Sequence, residues 1–228
     1  MSRNGTGAAR GAVLLELLEK RGAQPWTQQV VTVQYPKGRT IYAPGDTGAT
    51  LYVVRRGTVR LYRLSPDGRE VTLTLLAAGD VFGELGLIAS GGHSAFVEAV
   101  EDTEVTLLTP RACHELITRH PEVAFELIGN LSLRLQRAED LIEDLVSRDV
   151  AGRVARTLLH LAGTFGRDAE RGTVINLRLP YQEIANLVGS TRETVTRAIS
   201  QMQQNEWVRL EKGHLLILDR PALESLAA

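Results

Sequence analysis

The sequence predicts an α+β chain: an N-terminal double-stranded β-roll, a long dimerisation helix and a C-terminal winged helix-turn-helix. Three observations carry that prediction. Short β-type runs punctuated by glycine fill residues 30–110, an apolar 3,4 repeat runs through 128–145, and two helical patterns flank a glycine within 181–200. The chain accordingly divides into 1–24 as flexible tail and short helix, 25–120 as the roll, 121–148 as the dimerisation helix and 149–228 as the winged domain.

With 228 residues and 43 % hydrophobic content, the chain is long enough for two modest domains, each with a real core. The net charge is −1, so any affinity for nucleic acid must come from a local basic surface. Residues 147–228 carry 11 basic against 9 acidic side chains, and the remainder 15 against 18. One cysteine, Cys113, leaves no disulfide framework or thiolate cluster within one chain. It reads as a small core residue on a helix, in a protein of the reducing cytoplasm. Val13-Leu14-Leu15 is broken by Glu16 and Glu19-Lys20, so neither a signal peptide nor a membrane span is expected. Residues 1–9 read as a flexible tail. The histidines His93, His114, His120, His160 and His214 lack ligand-pair spacing, so no metal site is expected and nothing marks an enzyme.

Along the roll the β-type runs are 30–33, 51–54, 58–62, 70–73 and 104–107. Pro44-Gly45-Asp46, Pro66-Asp67-Gly68 and Gly79-Asp80 lie between them as turns. Strands at this spacing without intervening helices favour a rolled antiparallel sheet. A helix then starts near Pro121, whose missing N–H is no loss in a first helical turn. Along it Ile128, Leu131, Leu135, Ala138, Ile142 and Leu145 recur at steps of 3 and 4. That seam suits a two-stranded coiled coil, because a core-facing helix carries a wider stripe. A homodimer follows from it. Beyond Asp149 the order is a helix to about Gly163–Gly166, a polar loop over 167–172, a strand over 174–179, two helices, and a hairpin of 207–210 with 215–218.

Residues 181–200 concentrate the functional signal. Ala185 is small where two helices cross, and Gly189 supplies a left-handed turn four residues later. Ile184, Val188, Val195 and Ala198 supply the apolar contact. Ser190 with Glu193 reads as a capping box opening the second helix. Arg192, Glu193 and Arg197 then face outward. Arginine can donate twice to the N7 and O6 of guanine, and glutamate can accept from the N4 amine of cytosine. These three are the expected base readers on double-stranded DNA. Gln182, Thr191, Thr196, Lys212 and His214 are the expected backbone contacts.

These stretches resemble the cyclic-AMP receptor protein and fumarate-nitrate regulator (Crp/Fnr) family of transcription regulators, over about residues 25–220. The resemblance rests on residues 189–197, on 149–156 at the domain junction, and on Gly83-Glu84-Leu85-Gly86-Leu87 in the roll. It implies a cyclic-nucleotide-binding-like roll and a palindromic operator of the TGTGA-N6-TCACA kind. It also implies contact with RNA polymerase, as for an activator. In nucleotide-binding members a Gly-Glu-Leu and a following Arg-Ser hold cyclic AMP, the glutamate on the ribose and the arginine on the phosphate. Here Gly83, Glu84 and Leu85 match, while His93-Ser94 replaces Arg-Ser after a loop one residue shorter. The adenine-contacting pair of the long helix aligns with Ala138-Glu139. Backbone amides of the 90–94 loop offer another cradle for an anion. Cyclic AMP as allosteric effector, an effector-independent regulator, and a nucleotide-sensing regulatory subunit all stay open at this point.

Overall fold

The computed structural model describes residues 12–19, 29–85 and 92–228. The expected tail, Gly86-Leu87 and Ser90 lie outside the described residues. Two compact units meet after Leu135, the first ending there and the second beginning at Gln136.

In the first unit, helix α1 (Ala12–Glu19) precedes eight strands: β1 (Val30–Tyr35), β2 (Thr40–Tyr42), β3 (Leu51–Arg56), β4 (Val59–Leu64), β5 (Glu70–Leu76), β6 (Val81–Phe82), β7 (Phe96–Ala99) and β8 (Thr103–Leu108). They form two antiparallel four-stranded sheets, ordered β1-β8-β3-β6 and β2-β7-β4-β5. The predicted roll is present. Strands β2, β6 and β7 add to the expected runs. Each has four residues or fewer, too short to display an alternation. Between β4 and β5, Pro66-Asp67-Gly68 turns the chain, closed by the Ser65 amide on the Arg69 carbonyl (2.8 Å).

Tyr42, Val54, Val59, Leu61, Leu76, Phe82, Val97 and Val105 fill one core of this unit. A second core joins Leu51, Val53 and Leu108 to Leu14 and Leu18 of α1, and to Ala112, Cys113 and Leu116 of α2 (Pro110–Arg119). Cys113 is 3 % exposed, and burial raises its thiol pKa. Helix α3 (Pro121–Ser147) begins at the expected proline and gives Val123 to the same core. Its Glu126 accepts the amides of Val13 and Leu14, both at 3.0 Å, and so caps α1.

The second unit contains α4 (Val150–Phe165), β9 (Gly166–Ala169), β10 (Gly172–Ile175), α5 (Tyr181–Val188), α6 (Arg192–Gln204), β11 (Val208–Glu211), β12 (His214–Ile217) and α7 (Arg220–Leu226). The sheet order is β11-β12-β10-β9. Two expectations change here. The polar loop over 167–172 contains an exposed strand, β9, paired to β10. The strand read over 174–179 spans 172–175 instead. A polar edge strand shows no hydrophobic periodicity, and its signal is the backbone ladder alone.

Helix α6 closes on Glu206, at φ +60°, with the Trp207 amide on the Met202 carbonyl (2.9 Å) and the Glu206 amide on the Gln203 carbonyl (3.0 Å). A side chain in this left-handed position costs about 1 kcal/mol relative to glycine. Glu206→Gly is therefore expected to stabilise the unit by about that amount. Thermal unfolding would read it as a midpoint shift of a few degrees upward.

Candidate nucleic-acid interface and effector site

Helix α5 stops at Gly189, which sits at φ +65° and ψ +50° with its amide on the Ala185 carbonyl. Only glycine enters that region without strain, so the turn is fixed by composition. The Ser190 amide also reaches the Ala185 carbonyl (3.0 Å), which places Ser190 in the turn and not at the cap. Thr191 is the N-cap of α6, its Oγ1 accepting from the Thr194 amide at 3.3 Å. The capping box read on Ser190 and Glu193 is thus corrected by one residue. Ile184, Ala185 and Val188 are buried, as are Val195, Ile199 and Met202, while Ala198 is only half-buried.

Arg192, Glu193 and Arg197 are all exposed on α6. Arg197 Nη2 donates to Thr194 Oγ1 at 3.3 Å, and no ion pair joins Glu193 to Arg197 among the described residues. The side chains of Arg192 and Glu193 make no hydrogen bond among those residues, so two donor or acceptor groups stand open on one turn. Thr196 is half-buried and donates back to the Arg192 carbonyl at 2.7 Å, which leaves its hydroxyl oxygen able to accept.

The expected backbone contacts are placed differently from one another. Gln182 donates through Nε2 to Asn186 Oδ1 at 2.9 Å. Thr191 is occupied by the cap. Lys212 stands at the tip of the wing, where Lys212 at φ +49° and Gly213 at φ +83° make a two-residue turn between β11 and β12. His214 lies below that tip with Nδ1 3.2 Å from the Ile175 carbonyl and Nε2 3.4 Å from Arg178 Nε. Nδ1–H therefore donates to Ile175, and Nε2 accepts from Arg178. Both ring nitrogens are used internally. Arg178, exposed beside the wing, is the cation sequence reasoning missed. Its signal was an arginine interrupting the apolar pair Leu177 and Leu179.

On α3 the expected seam is uncovered. Ile128, Leu131 and Leu135 in the first unit, and Ala138, Ile142 and Leu145 in the second, are all exposed, with the large side chains from 36 % (Leu131) to 65 % (Ile142). Phe125 and Val146 are exposed as well, outside the 3,4 register. Two of the charged neighbours are not free flanks. Asp144 is buried, bonded to Arg148 and, at 2.7 Å, to Arg156, which also holds Asp140 at 3.0 Å. Arg148 Nε further donates to the Ala227 carbonyl (2.6 Å).

In the roll, Gly83 has φ +85°, and a Cβ there would lie 2.5 Å from the Thr50 carbonyl oxygen, so the approach to Glu84 requires glycine. Glu84 Oε1 accepts from Arg134 Nη1 at 3.0 Å, while Glu84 Oε2 is buried without a hydrogen-bond partner. Leu85 is exposed. His93, 5 % exposed, stacks on Tyr42 with centroids 3.7 Å apart and planes 10° apart. Tyr52 stacks on Phe82 at 4.8 Å and lies 5.5 Å from Tyr42. Burial lowers the His93 pKa, opposed by the charges of Asp46 and Glu84. Burial, with Glu84 beside it, raises the Tyr42 phenol. Ser94 accepts from Arg63 at both its carbonyl (3.1 Å) and its hydroxyl (2.9 Å). No group of three or more His, Cys, Asp or Glu among the described residues could hold a metal ion. None of the described helices is long and apolar enough to cross a membrane.

Comparison with known proteins matches residues 32–120 to the cyclic nucleotide-binding domain and 152–226 to the Crp-like helix-turn-helix domain. The chain is 36 % identical over 197 residues to a CRP-like cAMP-activated global transcriptional regulator of Mycobacterium tuberculosis, covering 86 % of this chain and 88 % of the relative. It is 39 % identical to the cyclic AMP receptor protein of Thermus thermophilus, covering 85 % and 86 %. Among solved structures it resembles a CooA mutant from Carboxydothermus hydrogenoformans (TM-score 0.80, 26 % identity, 94 % and 95 % covered). It also resembles a CRP/FNR-family regulator from Thermus thermophilus (TM-score 0.72, 32 % identity, 86 % and 98 % covered).

Proposed function

Because the chain belongs to the Crp/Fnr family of transcription regulators, we propose that it acts as a homodimer reading a TGTGA-N6-TCACA-like palindrome, with cyclic AMP as its allosteric effector. The observation that carries the DNA reading is the open Arg192–Glu193 pair at the start of α6, one turn before Arg197. Two guanidiniums and one carboxylate match guanines on one strand and a cytosine on the other. Paired seams on α3 would set two recognition helices about 34 Å apart, the spacing of successive major grooves. Contact with RNA polymerase would follow in the cytoplasm. The matched nucleotide-binding domain and the buried, unpaired Glu84 Oε2 support the effector reading, since a ribose hydroxyl could donate to that oxygen.

A mobility-shift titration on the palindrome, with a scrambled duplex of equal length as reference, tests this reading. Tight, salt-dependent binding to the palindrome alone is expected. Equal affinity for both duplexes would overturn it.

Lys212 has the character of a phosphate contact: a flexible cation at a turn, away from the base readers. Lys212→Ala is expected to weaken binding to all duplexes alike. With two copies in the dimer, it should flatten the slope of log affinity against log salt by about 2. Affinity measured over a salt series checks this.

A further inference from the structure

A cyclic phosphate is an anion, and burying one beside the roll requires a positive group or several well-aimed donors. Arg63 reaches Ser94, next to His93, and two of its nitrogens are spent there. That contact holds Ser94. His93 itself is held on both sides of its backbone, its amide on the Asp46 carbonyl (3.2 Å) and its carbonyl on the Gly45 amide (3.0 Å). The residue is 5 % exposed with its ring stacked on Tyr42, and neither ring nitrogen has a hydrogen-bond partner among the described residues. In the same cluster Glu84 Oε2 is buried and unpaired. A latent donor and an open acceptor, the acceptor withdrawn from water and both beside Tyr42, leave hydrogen bonds unmade within the protein. A ligand carrying both an anion and a hydroxyl would complete them.

We propose that His93 binds the effector's cyclic phosphate as an imidazolium, so that each nucleotide enters the roll together with a proton. This rests on reading the roll as a cyclic-nucleotide site. Among the described residues, few charged and titratable groups face His93. Asp46 comes from the β2–β3 loop, Glu84 from the segment after β6, Tyr42 from β2 and Tyr52 from β3, the last with its ring 6.3 Å away. Arg134 of α3 already neutralises one oxygen of Glu84, and Asp46 Oδ2 accepts the Ala43 amide at 2.8 Å. In the free protein burial outweighs these carboxylates, lowers the His93 pKa and so favours the neutral imidazole. A bound phosphate reverses the balance, because a neighbouring anion favours the charged ring, and the tyrosine face beneath also favours a cation. The phosphodiester keeps one negative charge over the whole range. The proton is therefore taken up by the protein from solvent, and effector affinity falls as pH rises.

Calorimetric titration of the full-length protein with cyclic AMP tests this, run between about pH 6 and pH 8 in two buffers of different ionisation heat. The wild type is expected to lose roughly tenfold in affinity per pH unit across the window where the free ring is neutral and the bound ring charged. The buffer dependence of the heat should correspond to uptake of about one proton per site. His93→Arg is expected to bind without proton uptake and with little pH dependence. His93→Gln should bind at least about tenfold more weakly at the acid end, again without uptake. A purely packing role for the ring would give a pH-independent affinity and no uptake in the wild type, which would overturn the proposal, as would uptake that persists in His93→Gln. Absence of cyclic AMP binding at every pH would sink the effector reading along with it. Operator binding, measured on the same samples, would still stand or fall by itself.

Discussion

Exchange of Arg192 for alanine is expected to lower affinity for the TGTGA palindrome by about 1–3 kcal/mol per half-site, hence roughly thirty-fold or more for a dimer carrying two. The basis is geometric. Arg192 is the first residue of α6, exposed, and unpaired within the described protein, so its removal disturbs no internal bond. Stability should stay within about 0.5 kcal/mol of wild type, as for other surface changes. The loss should be concentrated at one G·C pair, so that an operator already mutated there loses little more. Equal losses on every duplex would assign Arg192 to the phosphates instead.

A charge placed on the α3 seam should have a comparably large effect by a different route. Ile142→Asp, or Leu135→Asp, puts an unpaired carboxylate opposite its own symmetry copy, where desolvation and like-charge repulsion combine. Both residues are more than half exposed in the single chain, so the folded protomer should tolerate either change. Sedimentation should show a monomer. Losing the second half-site removes the gain from linked binding, about a hundred-fold or more. Retention of a tight dimer in both variants would move the interface off this face.

The parts of this protein that could be read from sequence share one property: their residues lie close together in the chain. The second helix of the motif, its left-handed Gly189 and the wing turn at Lys212-Gly213 are all local features. The capping residue was misplaced by one, because Ser190 and Thr191 are both good caps and only the Ser190 bond to Ala185 decides between them. The polar strand β9 was invisible for a related reason. Its partner, β10, and not its own side chains, makes it a strand.

The aromatic cluster lay further out of reach. Tyr42, Tyr52, Phe82 and His93 come from four separated segments, and sheet register brings them together, Tyr52 pairing directly with Phe82. Sequence showed that a histidine stood where the family resemblance implied arginine. It could not show that the ring was buried on a tyrosine. The same limit hid the pairing of Arg178 with His214, 36 residues apart.

The inaccessible thiol of Cys113 makes the molecule convenient for spectroscopy. Its burial keeps the reactive thiolate scarce, so maleimide and methanethiosulfonate reagents should pass it by. A cysteine introduced at the exposed Glu211 could then be tagged alone, without first removing the native one. A dimer so prepared would carry one spin label on each wing, and their separation, with and without nucleotide, would gauge directly how far the two reading heads travel.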